Sequence, residues 1–502
     1  MKRRLAPLLA LLLLSACGGG GSGAGSVTPP PPPPARGSLA GGGAQLAPVV
    51  VGGVPLARLE PAVLAALLEA AQSGTVALTG TPKCAITPYS VRYHTLGGAG
   101  ESTEASGAVI IPSGADPACS GARPVLLYAH GTAIDQRYDM SKLADSTEAK
   151  LVAAMFAAQG FIVVAPNYAG YAGSTLAYHP YLDANQQSAD MVDALRAARL
   201  SFGAMAAADS GKLYVSGYSQ GGHVALATMR AMQLQYGSEF KVSAAAGMSG
   251  PYALVDFADG MFAGAPRIGV TAFMPLLINA GQHAGAGLYG SLSEIYEAQY
   301  ASGIDSLLPS ASSLDALIVA GKLPATTLFA ANSLPQASGY AKYFGSGNLI
   351  KTSYRDAYQL DAKAHPCGGN APLACAPEHA LRKLLRQNDV RNFTPASALM
   401  LCGGNGDPTV PYQNTVSALA YYRALTAAGA VLEVDLDTVP GLSDPYRNQK
   451  AGFLAAKLAL RLDALQHGDS GDAAVESNYH AGLVAPFCFQ AVRAFFQASS
   501  AP

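Results

Sequence analysis

Ser219 stands in Gly217-Tyr218-Ser219-Gln220-Gly221, with Gly222 directly behind it. A serine framed by glycines between an apolar run and a helical one can act as a nucleophile, because a sharp strand-to-helix turn lifts its hydroxyl above a sheet. The run Lys212-Leu213-Tyr214-Val215 supplies the strand, and His223 to Gln233 carries Ala, Leu and Met at helical spacing. A serine hydroxyl is a poor nucleophile at neutral pH, so a base must take its proton. Two histidines follow the last strand-like run. His467 ends a helical stretch beside Gly468-Asp469. His480, in the loop Asn478-Tyr479-His480-Ala481-Gly482 before a closing helix, is the expected base. The expected acid is Asp407, at the tip of the Gly-rich turn Gly403-Gly404-Asn405-Gly406-Asp407-Pro408 after Leu399 to Cys402. Its competitors are Asp435 and Asp437, beside the next strand. An anionic intermediate also needs two backbone N–H donors. Gln220 is one. Gly131 or Thr132, in the loop after Tyr128-Ala129-His130, is the other, with His130 read as a brace.

Other residues receive structural readings. His179-Pro180-Tyr181 follows Tyr168-Ala169-Gly170-Tyr171 and shapes a loop near the pocket mouth. His94 lies in a strand-like run. His365 and His379 flank Cys367 and Cys375 at a spacing that matches no zinc pattern. Neither a metal nor an organic cofactor is expected.

The elements that must position these groups follow from hydrophobic patterning. Val109-Ile110-Ile111, Val125 to Tyr128, Phe161 to Val164, Leu213 to Val215, Ala398 to Leu401 and Val431 to Val434 are continuous apolar runs, as in strands buried on both faces of a parallel sheet. Lys142 to Gln159 and Asp190 to Leu200 read as helices between them. This alternation predicts an α/β fold: a mostly parallel sheet flanked by helices. It lapses from Pro251 to about residue 392, which reads as a largely helical inserted cap, so that 46–250 and 393–502 form the α/β domain. A helix at Arg447 to Gln466 and a closing helix at Pro486 to Gln497 complete the expectation.

Lys plus Arg (32) balances Asp plus Glu (33), leaving no global field for a polyanion, so nucleic acid is excluded as a partner. Trp is absent, which removes the strongest sugar-stacking platform. Met1-Lys2-Arg3-Arg4 and the apolar Leu5 to Leu14 have the order of an export signal and are too short to span a bilayer. Leu14-Ser15-Ala16-Cys17 resembles a bacterial lipobox. It implies that Cys17 is acylated, that residues 1–17 form the signal, and that the protein is an exported, membrane-anchored lipoprotein. Gly18 after the cysteine implies the outer membrane. Residues 18–45, with the run Pro29 to Pro34, read as a tether. Cys84, Cys119, Cys367, Cys375, Cys402 and Cys488 remain, an even number that suggests disulfides in an exported chain. Six cysteines allow about 15 pairings; the short-range pair Cys367 with Cys375 is the most direct, and Cys84 with Cys119 and Cys402 with Cys488 are the simplest of the pairings left open.

Phe161-Ile162-Val163-Val164-Ala165-Pro166-Asn167-Tyr168, His179-Pro180-Tyr181, Gly217 to Gly222, Gly406 to Pro411 and His480 with Pro486-Phe487-Cys488 together resemble the secretory lipase family of α/β-hydrolases, which includes fungal lipase A-like enzymes and bacterial cell-wall-degrading esterases. The resemblance runs from about residue 85 to the C-terminus. It implies a Ser219-His480-Asp407 triad, a cap inserted after the sixth strand of the fold, and hydrolysis of small-molecule or lipid-like esters. Asn167 departs from it, since many relatives have Asp there. A peptidase or acyltransferase using the same residues, and a non-catalytic tethered binding protein, are the alternatives.

Overall fold

The computed structural model describes residues 33–71, 74–368 and 373–500. The expected export signal, Cys17 and the expected tether as far as Pro32 lie outside them. Eleven strands are named in chain order. They are β1 (Gln45–Leu46), β2 (Val49–Val51), β3 (Val54–Leu56), β4 (Ala85–Leu96), β5 (Ser102–Ser113) and β6 (Ala122–Ala129), followed by β7 (Ile162–Pro166), β8 (Ala208–Tyr218), β9 (Val242–Met248), β10 (Ala398–Gly403) and β11 (Val431–Asp435). β2 and β3 form a separate hairpin, and the other nine make one sheet in the order β1-β4-β5-β7-β6-β8-β9-β10-β11. The six strands from β7 to β11 in that order are parallel. β5, β4 and β1 add antiparallel pairings at one edge.

The apolar runs become strands because successive side chains enter two different cores. Leu126, Val163, Tyr214, Ala246 and Met400 pack on one face. Their neighbours Val125, Leu127, Ile162, Val164, Val215, Ala245, Leu399 and Leu401 pack on the other. With both faces covered, no polar alternation survives in the sequence. The helices Thr147–Met155 and Ala485–Ser500 cover the first face, and Ala184–Ser201 and Gln220–Leu234 the second. The first of these starts later than expected because the Ser146 side chain caps it, accepting from the Ala149 N–H, which leaves Lys142 to Asp145 as turns.

The tether expectation needs correction at its C-terminal end. The composition extends it to residue 45, yet Gly37 and Ala40 donate to the carbonyls of His94 and Arg92, and β1 extends that pairing along β4. Ala40 is buried. Backbone pairing asks nothing of side chains, so Gly, Ser and Ala residues joined a sheet edge without leaving a compositional trace.

Between β9 and β10 the chain forms helices and turns, with a core of its own that includes Phe262, Leu276, Tyr296, Phe329 and Tyr358. Buried Arg382, on the helix Ala380–Asn388, ties two other helices together. It donates to Asp259 of Leu254–Phe262 at 2.9 Å and to Asp361 of Thr352–Ala364 at 2.7 Å. Removing one partner from such a buried pair strands the other charge, at a cost of about 3–5 kcal/mol.

The cysteines pair as Cys84–Cys119, Cys367–Cys375 and Cys402–Cys488. The last joins the end of β10 to the closing helix, 86 residues later. Closing so long a loop restricts the unfolded chain, and its loss costs about 2–5 kcal/mol. Replacing Cys402 and Cys488 together by Ala should therefore lower the urea unfolding midpoint well beyond the effect of the same change at Cys367 and Cys375. Equal midpoints for the two double variants would contradict this.

Candidate active site

β8 ends at Tyr218 and a helix begins at Gln220, so Ser219 alone makes the turn, at φ 57° and ψ −122°. A non-glycine residue there costs about 1–3 kcal/mol and persists only where its surroundings hold it. The Ser219 N–H donates to the Met248 carbonyl at 2.9 Å, and its own carbonyl accepts from Gly222. The glycines are steric necessities. A Cβ on Gly217 would meet the Gly221 carbonyl oxygen at 2.1 Å, and one on Gly221 would meet that of Ala129 at 2.0 Å.

His480 and Asp407 converge on this turn. The Ser219 hydroxyl donates to His480 Nε2 at 2.9 Å, and His480 Nδ1–H donates to Asp407 Oδ2 at 2.6 Å. A carboxylate only accepts, so this contact fixes the proton on Nδ1 and leaves Nε2 free as an acceptor. The Asp407 side chain is 1% exposed and that of His480 12%, so the carboxylate is the more deeply buried partner of the pair. Asp407 Oδ1 accepts from the Thr409 and Val410 N–H groups at 2.9 and 3.0 Å, which satisfies the carboxylate without a second cation.

His480 does not sit in a loop, as expected. It lies on a π-helical turn, Tyr479–Val484, between Gly471–Asn478 and Ala485–Ser500. Such turns insert one extra residue per turn and re-aim a side chain. The competitor acids have positioning work instead. Asp437 Oδ2 accepts from the Tyr479 hydroxyl at 2.5 Å, and that hydroxyl accepts from the Gly406 N–H at 2.9 Å. Asp435 accepts from the Asn405 N–H. Both acids thus hold the Asp407 loop, and Tyr479 links it to the residue before the imidazole. The Tyr218 hydroxyl donates to the His480 carbonyl. Tyr479 and Tyr218 carry no sequence signal beyond standing next to His480 and Ser219.

The Gln220 N–H opens the helix after Ser219, where the helix dipole favours negative charge. Of the two partner donors expected, Gly131 is already engaged: its N–H donates to Glu148 at 3.0 Å. Thr132 remains, and it lines the same cavity as Ser219 and Gln220. The Gln220 side chain donates to His179 Nε2 at 2.7 Å, while His179 Nδ1 faces the Ala169 carbonyl at 2.9 Å. Burial pulls His179 down to about 3 and His130 down to about 4, so both are neutral braces. His130 stacks on Tyr168 with ring centroids 4.1 Å apart. Asn167 has a reason to be an amide: its Nδ2 donates to Asp139 at 3.0 Å and to Ser106 at 2.8 Å, where an aspartate would oppose a carboxylate.

Over Ser219 lie the apolar faces of two helices. Leu254, Phe257 and Met261 recur at helical spacing on one, and Val270, Phe273 and Leu277 on the other. The cavity they roof is about 70 Å³. The remaining six histidines have other surroundings. His94 lies in β4, His223 Nε2 faces the Asn388 carbonyl, His283 stacks on Tyr178, His365 pairs with Asp361, His379 packs on Tyr354 and Tyr358, and His467 is exposed. Among the described residues no group of three or more His, Cys, Asp or Glu is placed to hold a metal ion.

The family model described as the prolyl oligopeptidase family matches residues 147–248, the stretch from the first covering helix through β8 and Ser219 to β9. No curated protein matches the chain. Among solved structures, the rice cell wall degrading esterase LipA from Xanthomonas oryzae is 24% identical over 93% of this chain and 100% of its own, with a TM-score of 0.68. A further structure of that esterase is 26% identical over 86% of this chain and 100% of its own, with a TM-score of 0.64. A Legionella pneumophila protein assigned as a hydrolase is 18% identical over 92% of this chain and 98% of its own, with a TM-score of 0.64. With the strand order given above, these likenesses give the chain the α/β-hydrolase fold.

Glu148 is the site residue that sequence reading passed over. It reads as an ordinary acid in the first turn of a helix. In the structure its carboxylate accepts from the Tyr128 hydroxyl at 2.5 Å and the Gly131 N–H at 3.0 Å, and so fixes the loop that presents Thr132. Burial raises its carboxyl above the ordinary value, against these hydrogen bonds, which lower it. A 1 Å misplacement of such a loop can cost about 100-fold in rate. Glu148→Ala should therefore lower kcat strongly with little change in KM, and Glu148→Gln, which still offers an acceptor to Gly131, should restore most of it. Full activity in the Ala variant would show that the loop holds its shape unaided.

Proposed function

We propose that this α/β-hydrolase cleaves carboxylic esters through an acyl-enzyme on Ser219. The observation that carries the reading is the hydrogen-bonded chain from Asp407 through His480 to Ser219, at the floor of an apolar cavity. His480 Nε2 takes the hydroxyl proton as Ser219 Oγ attacks the ester carbonyl, and Asp407 stabilises the imidazolium that forms. The N–H groups of Gln220 and Thr132 receive the developing oxyanion. The tetrahedral intermediate collapses as His480 gives its proton to the leaving alcohol. A water then enters, His480 takes its proton, and the acid departs, returning the proton to Ser219.

The rice cell wall degrading esterase, similar over its whole length, supports ester chemistry, and the helical segment 251–392 serves as the cap over the acyl group. The prolyl oligopeptidase match favours a second reading, as a peptidase. It spans the strand-turn-helix common to both chemistries and stops before Asp407, His480 and the cap helices. The cavity, about 70 Å³, has room for a few waters and so for a short acyl chain of a few carbons. In a series of p-nitrophenyl esters, kcat/KM should peak near that length and fall for chains beyond about 12 carbons. Ser219→Ala should abolish turnover throughout and block labelling by a fluorophosphonate probe. Faster cleavage of matched p-nitroanilides than of esters would favour the peptidase.

We also propose export and lipid anchoring at Cys17. Three disulfides fit an oxidising compartment, and no helix among the described residues is long and apolar enough to cross a membrane. Cells fed radiolabelled palmitate should label the full-length chain, and Cys17→Ser should lose the label. Equal labelling of both would refute the anchor.

A further inference from the structure

The cavity over Ser219 is lined almost wholly by apolar side chains, yet one formal cation stands in its wall: Arg267. Its guanidinium makes no hydrogen bond or ion pair with a described residue, and Nε is buried without a partner. The nearby acids are committed elsewhere. Asp407 is spent on His480 and two backbone N–H groups. Glu476 pairs with Lys342 at 2.7 Å and Asp472 with Arg461 at 2.5 Å. The guanidinium instead lies over the Tyr340 ring, 5.1 Å from its centroid. Stacking holds the plane of the group; no described acceptor takes its N–H groups, and the side chain borders two open grooves as well as the cavity.

A buried donor without an acceptor is costly, and native structures seldom keep one without a use. Arginine has a rigid fork of donors that matches a carboxylate bidentately. Arg267 and Ser219 line one and the same cavity, of about 70 Å³. We propose that Arg267 is a specificity residue that binds a free carboxylate at the far end of the acyl group, so that the preferred substrates are half-esters of short dicarboxylic acids. This inference rests on the ester-hydrolase reading and adds to it the charge of the substrate.

Two esters of equal length isolate the effect: mono-p-nitrophenyl adipate and p-nitrophenyl hexanoate. In the wild-type protein, kcat/KM should be higher for the anionic ester. In Arg267→Met the ratio of anionic to neutral kcat/KM should fall at least tenfold, and Arg267→Lys should recover part of it. High salt should reduce the ratio in the wild type and leave it unchanged in the Met variant. If Arg267→Met does not fold, Arg267→Gln provides the same comparison. A ratio that is the same in wild type and variants overturns the assignment while leaving ester hydrolysis intact. A parallel loss on both esters does so too, since it marks a packing role. Failure of the wild type to hydrolyse either ester, with no labelling of Ser219, overturns the ester-hydrolase reading and this inference with it.

Discussion

The hydrogen bond from the Ser219 hydroxyl to His480 joins residues 261 positions apart, and it has a working range of only a few tenths of an ångström. Much of the surrounding structure restrains its two ends. Ser219 is gripped between β6 and β9, where glycines let backbones approach to distances no side chain would allow. His480 is held from several sides: by Asp407 at Nδ1, by the Tyr218 hydroxyl at its carbonyl, and through Tyr479, which is fastened to Asp437 and Gly406. The Cys402–Cys488 bridge then joins the strand before Asp407 to the helix that follows His480. Each contact is modest alone. Together they remove the freedom that a loop-borne imidazole would have to give up at every turnover.

The other half of the site depends on uncharged hydrogen bonding. His130 and His179 lie too deep to hold a proton near neutrality, so they act by shape and by lone pair. His179 fixes the side chain of Gln220, and His130 stacks on Tyr168 beneath the loop of Gly131. Asn167 knits that region to Asp139 and Ser106, and Glu148 takes up the Gly131 N–H. A buried polar network stiffens a site only when its members are satisfied, because each unpaired group in a low dielectric is a liability. Two buried atoms of residues that line the cavity lack a partner, Gln220 Oε1 and Arg267 Nε, and the second is the donor assigned to a ligand.

Ser219, Asp407 and His480, which the structure brings together, were each legible in the sequence, for different physical reasons. The elbow shows itself because close backbone approach admits only glycine at Gly217 and Gly221. The strands show themselves because burial on both faces demands unbroken apolar runs. Asp407 stands at a Gly-rich turn straight after such a run. Those rules act over a few residues, and the sequence determined what they govern: the α/β alternation, the strand-to-helix turn and the order serine, acid, histidine. The tertiary structure decided which groups share a buried space. It gave the Gly131 N–H to Glu148, an acid that looks like any first-turn glutamate, and left Thr132 on the wall of the cavity that Ser219 lines. It placed His480 on a π-turn rather than a loop, gave Asp435 and Asp437 a scaffolding task, and drew residues 35–45 onto the sheet edge. It also left Arg267 in an apolar wall without an acid. Pairing, desolvation and enclosure depend on neighbours far apart in the chain, and no local pattern encodes them.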